Sequence, residues 1–225
     1  MIPLKDSVRP RRTPYVNISL IIINILIFVY TLGLSQSELI QLFYLRGVIP
    51  RQFVLSLLQD RTLEQTWLPL FTSTFLHGGW LHLLGNMLYL WVFGDNVEDR
   101  LGHGGYLLFY LAAGVAGSFA HISGNTQSAI PTIGASGAIA GVLGVYLLFF
   151  PRARVLTLIP IGFFLTTARL PATLFLFIWF ILQLLNASLA GLTAGAQTVA
   201  WWAHIGGFIF GFIIGLGAHL KRKVF

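Results

Sequence analysis

Between Ile130 and Pro151 the chain carries no charged side chain. A run this long and this apolar is expected to fold as a helix crossing most of a hydrocarbon core, because a helix satisfies its own backbone where water cannot. Pro131 and Gly134 mark its start, and Phe150 ends it just before Pro151, so the span is about Gly134–Phe150. Ser136 falls in its first turn, between Gly134 and Gly137. A serine among glycines in such a helix is by itself an ordinary packing residue. Any chemistry at Ser136 depends on what the rest of the chain brings to the same level.

Five further apolar runs follow the same logic, at about 15–34, 79–94, 104–122, 171–189 and 200–219. Only 9% of the 225 residues are charged, against roughly 25% in a soluble domain. The expected architecture is an all-α polytopic membrane protein, one domain over 1–225 with six transmembrane helices. The run from Tyr15 to Leu34 is longer than the apolar part of a signal peptide and lacks a small-x-small cleavage site, so it reads as a retained first span. There is no cysteine, which excludes disulfides.

The net charge of +7 is a topology signal and does not imply a nucleic-acid partner. Lys5, Arg9, Arg11, Arg12, Arg100, Arg152, Arg154, Arg169, Lys221, Arg222 and Lys223 fall on one side of the spans. Only Arg46, Arg51 and Arg61 fall on the other, where Glu38, Asp60 and Glu64 offset them. Both termini are therefore expected in the cytoplasm. Residues 35–66 mix charge with many Leu and Phe, a pattern suited to short amphipathic helices in the membrane interface. Residues 151–170 are expected to graze the interface on the cytoplasmic side.

With this topology the second, fourth and sixth spans all run inward from the external face. His82, Asn86, Ser136 and His204 each lie within a turn or two of such a start, so they share nearly one depth. His82 and Asn86 are four apart and share a helix face. Polar residues within a span are costly unless they pair or line a wet cavity. Gly137-x-x-x-Gly141 and Gly207-x-x-x-Gly211-x-x-x-Gly215 are ridges that let two helices approach closely. Each begins within a turn of Ser136 or His204, so close packing would set those two side chains together. A hydroxyl needs a base to become a nucleophile near neutral pH. No Asp or Glu lies in the fourth or sixth span, so the expectation is a Ser–His dyad. His82, Asn86 and the Ser136 N–H could stabilise an oxyanion.

At these residues the chain resembles the rhomboid family of intramembrane serine proteases. The resemblance rests on Gly134-x-Ser136-Gly137, on Ala203-His204-x-x-Gly207-x-x-x-Gly211, and on His77 with His82-x-x-x-Asn86. It implies a bacterial-type six-span core with a partly membrane-embedded external loop between spans one and two, in a bacterial inner membrane. It implies Ser136 as nucleophile, His204 as base, and His82 and Asn86 as oxyanion stabilisers. The implied partners are transmembrane protein substrates and the lipid bilayer, with no cofactor. Glu98 and Arg100 would be structural, fixing helix ends. Two positions depart from the family. A Trp-Arg pair frequent in the external loop is replaced by Leu68-Pro69, and an aromatic one turn after the serine is replaced by Ala140. His204 must then be held by another group, with Trp201 and Trp202 as candidates.

A zinc protease is disfavoured, since there is no His-Glu-x-x-His and no carboxylate at that depth. His103 and His219 read as interfacial residues and His77 as packing for the external loop. His121 is a weaker site candidate. Gln183 and Asn186 in the fifth span face either the bundle or a substrate gate. A transporter reading finds no internal repeat and no mid-span interruption. The remaining alternative is a non-catalytic rhomboid-like factor that binds membrane proteins, which would not need to keep Ser136 and His204 together.

Overall fold

The computed structural model describes residues 1–58, 62–162, 164–192 and 199–223. It begins with a strand, β1 (Ile2–Asp6), followed by helix α1 (Tyr15–Leu32). Four short helices come next: α2 (Gln36–Arg46), α3 (Pro50–Leu58), α4 (Leu63–Thr66) and α5 (Leu68–Thr72), with a 3₁₀ turn at Ser73–Phe75. Then follow α6 (Trp80–Leu101), α7 (His103–Gly124), α8 (Ser136–Phe149), the strands β2 (Arg154–Ile161) and β3 (Phe164–Pro171), α9 (Ala172–Leu192) and α10 (Trp201–Lys223).

Among the described residues, α1, α7, α9 and α10 are long and apolar enough to cross a membrane. The apolar α8 has 14 residues, about 21 Å at 1.5 Å per residue, and is shorter than a hydrocarbon core. α6 has 22 residues but carries His82, Asn86, Asp95, Asn96 and Glu98. It also runs past the expected end near Gly94. The cluster from Asp95 to Arg100 looks like an interface in sequence, yet it is helical because its polar groups bind other elements. Glu98 is 1% exposed. Its carboxylate accepts the backbone N–H of Val16 at 3.0 Å and of Asn17 at 2.7 Å, closing the open N-terminus of α1. His103, at the start of α7, pairs with the same carboxylate. Asn17 donates to the Leu90 carbonyl and accepts from the Tyr106 hydroxyl, tying α1, α6 and α7 together. Gly94 leaves room for that amide, since a Cβ there would collide with it.

α8 forms the centre, and α10 packs along it with backbone touching backbone. A Cβ on Gly207 would collide with the Gly137 carbonyl oxygen, and one on Gly211 with that of Gly141. Any larger residue at these two positions would push the helices apart. Tyr106, Tyr110, Phe93, Tyr146, Phe175 and Leu143 fill the core around this contact.

The all-α expectation is corrected at the end of the bundle opposite Ser136. There β1, β2 and β3 form an antiparallel sheet in that order, with β1 pairing across about 150 residues of sequence. Residues 154–161 and 164–171, expected only as an irregular connection, are therefore a β-hairpin. Val155 and Thr157 point inward and are fully buried, and Asp6 of β1 accepts from Asn96 Nδ2 and the Tyr146 hydroxyl. Burial raises the pKa of Asp6 above its ordinary value, more than those hydrogen bonds lower it.

Within 35–66 the described residues form the short helices α2, α3 and α4, as expected, and α5 with the 3₁₀ turn continues the series to Phe75. α2 opens with a reciprocal cap in which Ser35 and Glu38 serve each other's backbone N–H. The segment is fastened to the entry of α8 by a two-way backbone bridge between Val48 and Thr132. The Gly134 N–H, donating to the Ser73 carbonyl at 2.8 Å, fastens it again.

Candidate active site

Ser136 is the first residue of α8, and the close α8–α10 packing brings His204 of α10 onto it. Ser136 Oγ and His204 Nε2 are 2.8 Å apart. On the other side of the ring, His204 Nδ1 lies 2.8 Å from Gln183 Oε1 on α9. Gln183 Nε2 donates to the Trp179 carbonyl one turn earlier, at 3.1 Å, which leaves Oε1 as the acceptor facing His204. Nδ1 must then carry the proton, and the Nε2 lone pair faces the serine hydroxyl. This is the tautomer that a general base for Ser136 requires.

Aromatic rings hold the imidazole on two more sides. Trp201 meets it edge-on at 5.9 Å between centroids, and Trp179 lies tilted at 6.2 Å. Of the two tryptophans considered from sequence, Trp201 touches His204. Trp202 lies instead against Gly124 of α7. The polar partner is Gln183, which sequence reasoning left undecided. The available signal was a pair of side-chain amides, Gln183 and Asn186, in an apolar span, where a polar group inside the bundle must find a partner.

His82 and Asn86 arrive from α6 on the far side of Gly134. That glycine has φ +125°, and a Cβ on it would lie 2.5 Å from His82 Nε2 and 3.7 Å from Asn86 Nδ2. The close approach and the positive φ both require glycine there. The Gly78 N–H points at His82 Nδ1 at a long 3.5 Å. That contact favours a proton on Nε2, the nitrogen facing the entry of α8. Asn86 Nδ2 lies 2.9 Å from His77 Nε2, so one amide hydrogen holds His77 while the other remains for the Gly134 side. His77 is 1% exposed. Burial, helped by neighbouring His82, lowers its pKa to about 4 and keeps it neutral.

The structure thus brings Ser136, His204, His82 and Asn86 to one end of the bundle, with Gly134, Gly137, Gly207 and Gly211 at the close approaches. His121 lies one layer away, where it bonds Thr132 and Asn125. A cavity of about 20 Å³ touches Ser136, with Ser73, Thr74, Ser118 and Thr132 supplying hydroxyls. That volume suits one water. The small, uncharged segment 190–199 is expected from its sequence to act as a lid over this face, and its residues 193–198 lie outside the described residues.

The fold defines a helical membrane bundle with one polar cluster at the start of a buried, glycine-flanked helix. A family model described as the Rhomboid domain matches residues 64–221, most of the chain, and the protein belongs to the rhomboid family. It is 32% identical over 157 residues to the mitochondrial presenilin-associated rhomboid-like protein A of Danio rerio, covering 68% of this chain and 38% of that protein. It is 48% identical over 81 residues to the rhomboid protease GluP of Bacillus subtilis (strain 168), covering 36% of this chain and 15% of that protein. A mitochondrial rhomboid protein 1 of Saccharomyces cerevisiae (strain ATCC 204508 / S288c) is 36% identical over 88 residues, 37% of this chain and 25% of that protein. The chain therefore spans well under half the length of these relatives.

Proposed function

We propose that this chain is an intramembrane serine endopeptidase that cleaves transmembrane segments near their external end. The observation that carries the reading is the hydrogen-bonded line Gln183 Oε1, His204 and Ser136 Oγ, with 2.8 Å at each step. The protease among its relatives supports the same reaction class.

In this reading 1–225 is one membrane domain of six spans, α1, α6, α7, α8, α9 and α10, with the short α8 enclosed by the others and crossing only part of the core. Residues 35–75 form an external loop partly embedded in the membrane. Both termini are cytoplasmic and the membrane is a bacterial inner membrane. The one-sided distribution of Lys and Arg supports the orientation.

Ser136 Oγ attacks the scissile carbonyl while His204 Nε2 takes its proton. The resulting oxyanion accepts from His82 Nε2–H, Asn86 Nδ2–H and the N–H at the start of α8, where helix N–H groups lack intrahelical partners. His204 then protonates the leaving amine, and water hydrolyses the acyl-enzyme by the same route in reverse. Gln183 orients His204 but adds no charge. The imidazolium is therefore stabilised less than beside a carboxylate, and the base is expected to be weaker than in a full triad.

The test is incubation of the purified chain with a single-span model substrate. Ser136→Ala and His204→Ala should each abolish cleavage, and the double variant should lose no more than either alone. Retained cleavage by Ser136→Ala would refute the nucleophile. Binding of the substrate without cleavage by the unaltered chain would support a non-catalytic rhomboid-like binding factor instead.

A further inference from the structure

The sheet at the end of the bundle opposite Ser136 has two unlike faces. Its inner face is closed by Asp6, Val155 and Thr157. On the outer face, Lys5 pairs with Leu156 and Leu156 with Arg169, so two cations flank one apolar residue in a single row across three strands. Arg154 lies on the same face, two residues from Leu156. Among the described residues no carboxylate forms an ion pair with Lys5, Arg9, Arg154 or Arg169.

These four cations line a cavity of about 300 Å³, in which Asp6 is the one acidic residue. Asp6 is turned to the inner face by Asn96 and Tyr146, and its raised pKa weakens its claim on the cations. A second cavity, of about 540 Å³, shares Lys5, Asp6, Val8 and Arg9 with the first. It continues along the flanks of α1 and α6, where Leu4, Ile18 and Trp91 line it and Asp95 adds one carboxyl. The register slip between Pro3 and Lys5 takes Leu4 out of the ladder and makes it available there. A cationic chamber thus opens into a largely apolar groove on the side of two helices. At the margin of the same sheet, Phe164 is 80% and Leu165 71% exposed, as suits a sheet lying against lipid.

The geometry points to a binding site for an anionic phospholipid, with its phosphate among Lys5, Arg9, Arg154 and Arg169 and an acyl chain along Leu4, Ile18 and Trp91. Charge complementarity selects the headgroup, since neutral zwitterionic lipid adds a cation that this chamber would repel. The contiguous groove selects a lipid over free phosphate. The site lies at the end remote from Ser136 and is independent of whether the chain is catalytic.

The experiment uses the full chain in neutral detergent, with lipid retention measured by native mass spectrometry. Short-chain phosphatidylglycerol, short-chain phosphatidylcholine and inorganic phosphate are the probes. Phosphatidylglycerol should bind roughly tenfold tighter than phosphatidylcholine, and each cation removed should weaken it roughly fivefold. Arg169→Gln and Arg154→Gln should show that loss, and Trp91→Ala should weaken the lipid by its lost chain contact. Arg152→Gln, a neighbour outside the cavity, should leave binding unchanged. Lys5→Arg should retain it. Circular dichroism melting identifies any variant that fails to fold, and the single Arg169→Gln change on the exposed face is the one read if others fail. Equal binding of phosphatidylcholine would overturn the proposal. So would an Arg152→Gln loss as large as that of Arg169→Gln, which would mean a diffuse field. Competition by inorganic phosphate as strong as by lipid, with no effect of Trp91→Ala, would reduce the site to a simple anion pocket and also overturn it.

Discussion

Gln183 Oε1 accepts the Nδ1–H of His204 across the boundary between α9 and α10, at 2.8 Å. That bond sets the tautomer of the ring whose other nitrogen faces Ser136. It also joins the proposed base to an apolar helix with much of its surface exposed, including Phe177, Leu185 and Leu189 on its outer side. If α9 moves to admit a substrate, the bond must survive or re-form before chemistry.

Gln183→Ala should therefore lower kcat by about tenfold with little change in KM, less than the roughly 10²–10⁴ that a general base contributes. Gln183→Glu keeps an acceptor at the same reach and should restore much of the rate. Its negative charge would favour the imidazolium, so the acidic limb of the pH–rate profile should move to higher pH. A pH profile for Gln183→Glu that overlays the unaltered one, together with full activity of Gln183→Ala, would remove Gln183 from the positioning role.

Removing a single oxyanion donor costs about 10²–10³ in kcat in a soluble serine protease. Here His82 and Asn86 approach the same side of Gly134. Asn86→Ala should fall within or below that range because His82 remains. Asn86→Ala also strips His77 of its hydrogen bond, so a thermal melt must accompany the rate. If neither His82→Ala nor Asn86→Ala changes kcat, the backbone N–H groups at the start of α8 supply the whole stabilisation.

The helices and the meeting of Ser136 with His204 were legible in the sequence because their causes are local. Apolar runs set the helices, and glycine ridges starting beside Ser136 and His204 set which two would touch. The sheet was not legible, because Arg154-Val155-Leu156-Thr157 does not alternate polar with apolar: its buried face carries Val155 and Thr157 and its outer face Arg154 and Leu156. One partner, β1, lies about 150 residues away, and proline within β2 and at the end of β3 weakens the strand pattern of the adjacent pair. α6 was cut short at Gly94 for a similar reason. Asp95 to Arg100 has the composition of a membrane boundary, and its helical structure depends on the bonds by which Asn17 and Glu98 join α6 to α1. Gln183 could not be assigned from sequence, because facing a partner or facing lipid depends on helix rotation, which packing decides.

His77 should make stability depend on pH. Its folded pKa is about 4, lowered first by burial and then by His82, against an ordinary 6.5. Between those values the unfolded chain takes up a proton that the folded one refuses. The contribution is thus fully present above about pH 6.5 and is lost as pH falls toward 4, by at most about 1.4 kcal/mol per pH unit. Thermal melts between pH 7 and 4 should show the midpoint falling. His77→Gln should flatten that part of the curve while keeping an acceptor for Asn86. An undiminished slope in His77→Gln would assign the effect to another group.

The substrate prediction follows from where Ser136 lies. It begins a helix of 14 residues, too short to reach both faces of a hydrocarbon core, so the proposed site is sunk below the outer surface. A substrate helix arriving there has every carbonyl bonded internally. Attack by Ser136 Oγ needs an extended segment with a free scissile carbonyl, so the helix must unwind first. Gly weakens a helix by about 1 kcal/mol and Pro by about 3. Two model substrates differing only in Gly-Pro against Leu-Leu near the outer end of the span should therefore be cleaved at different rates, the Gly-Pro form faster. The difference should appear mainly in kcat/KM, because unwinding precedes the covalent step. Stiffening the approach with a disulfide engineered between α9 and α10, which pack together, should slow both substrates if α9 is the gate. Equal rates for the two substrates would sink the unwinding argument. Faster cleavage of the Leu-Leu form would mean that an intact helix is recognised and that α9 serves another purpose.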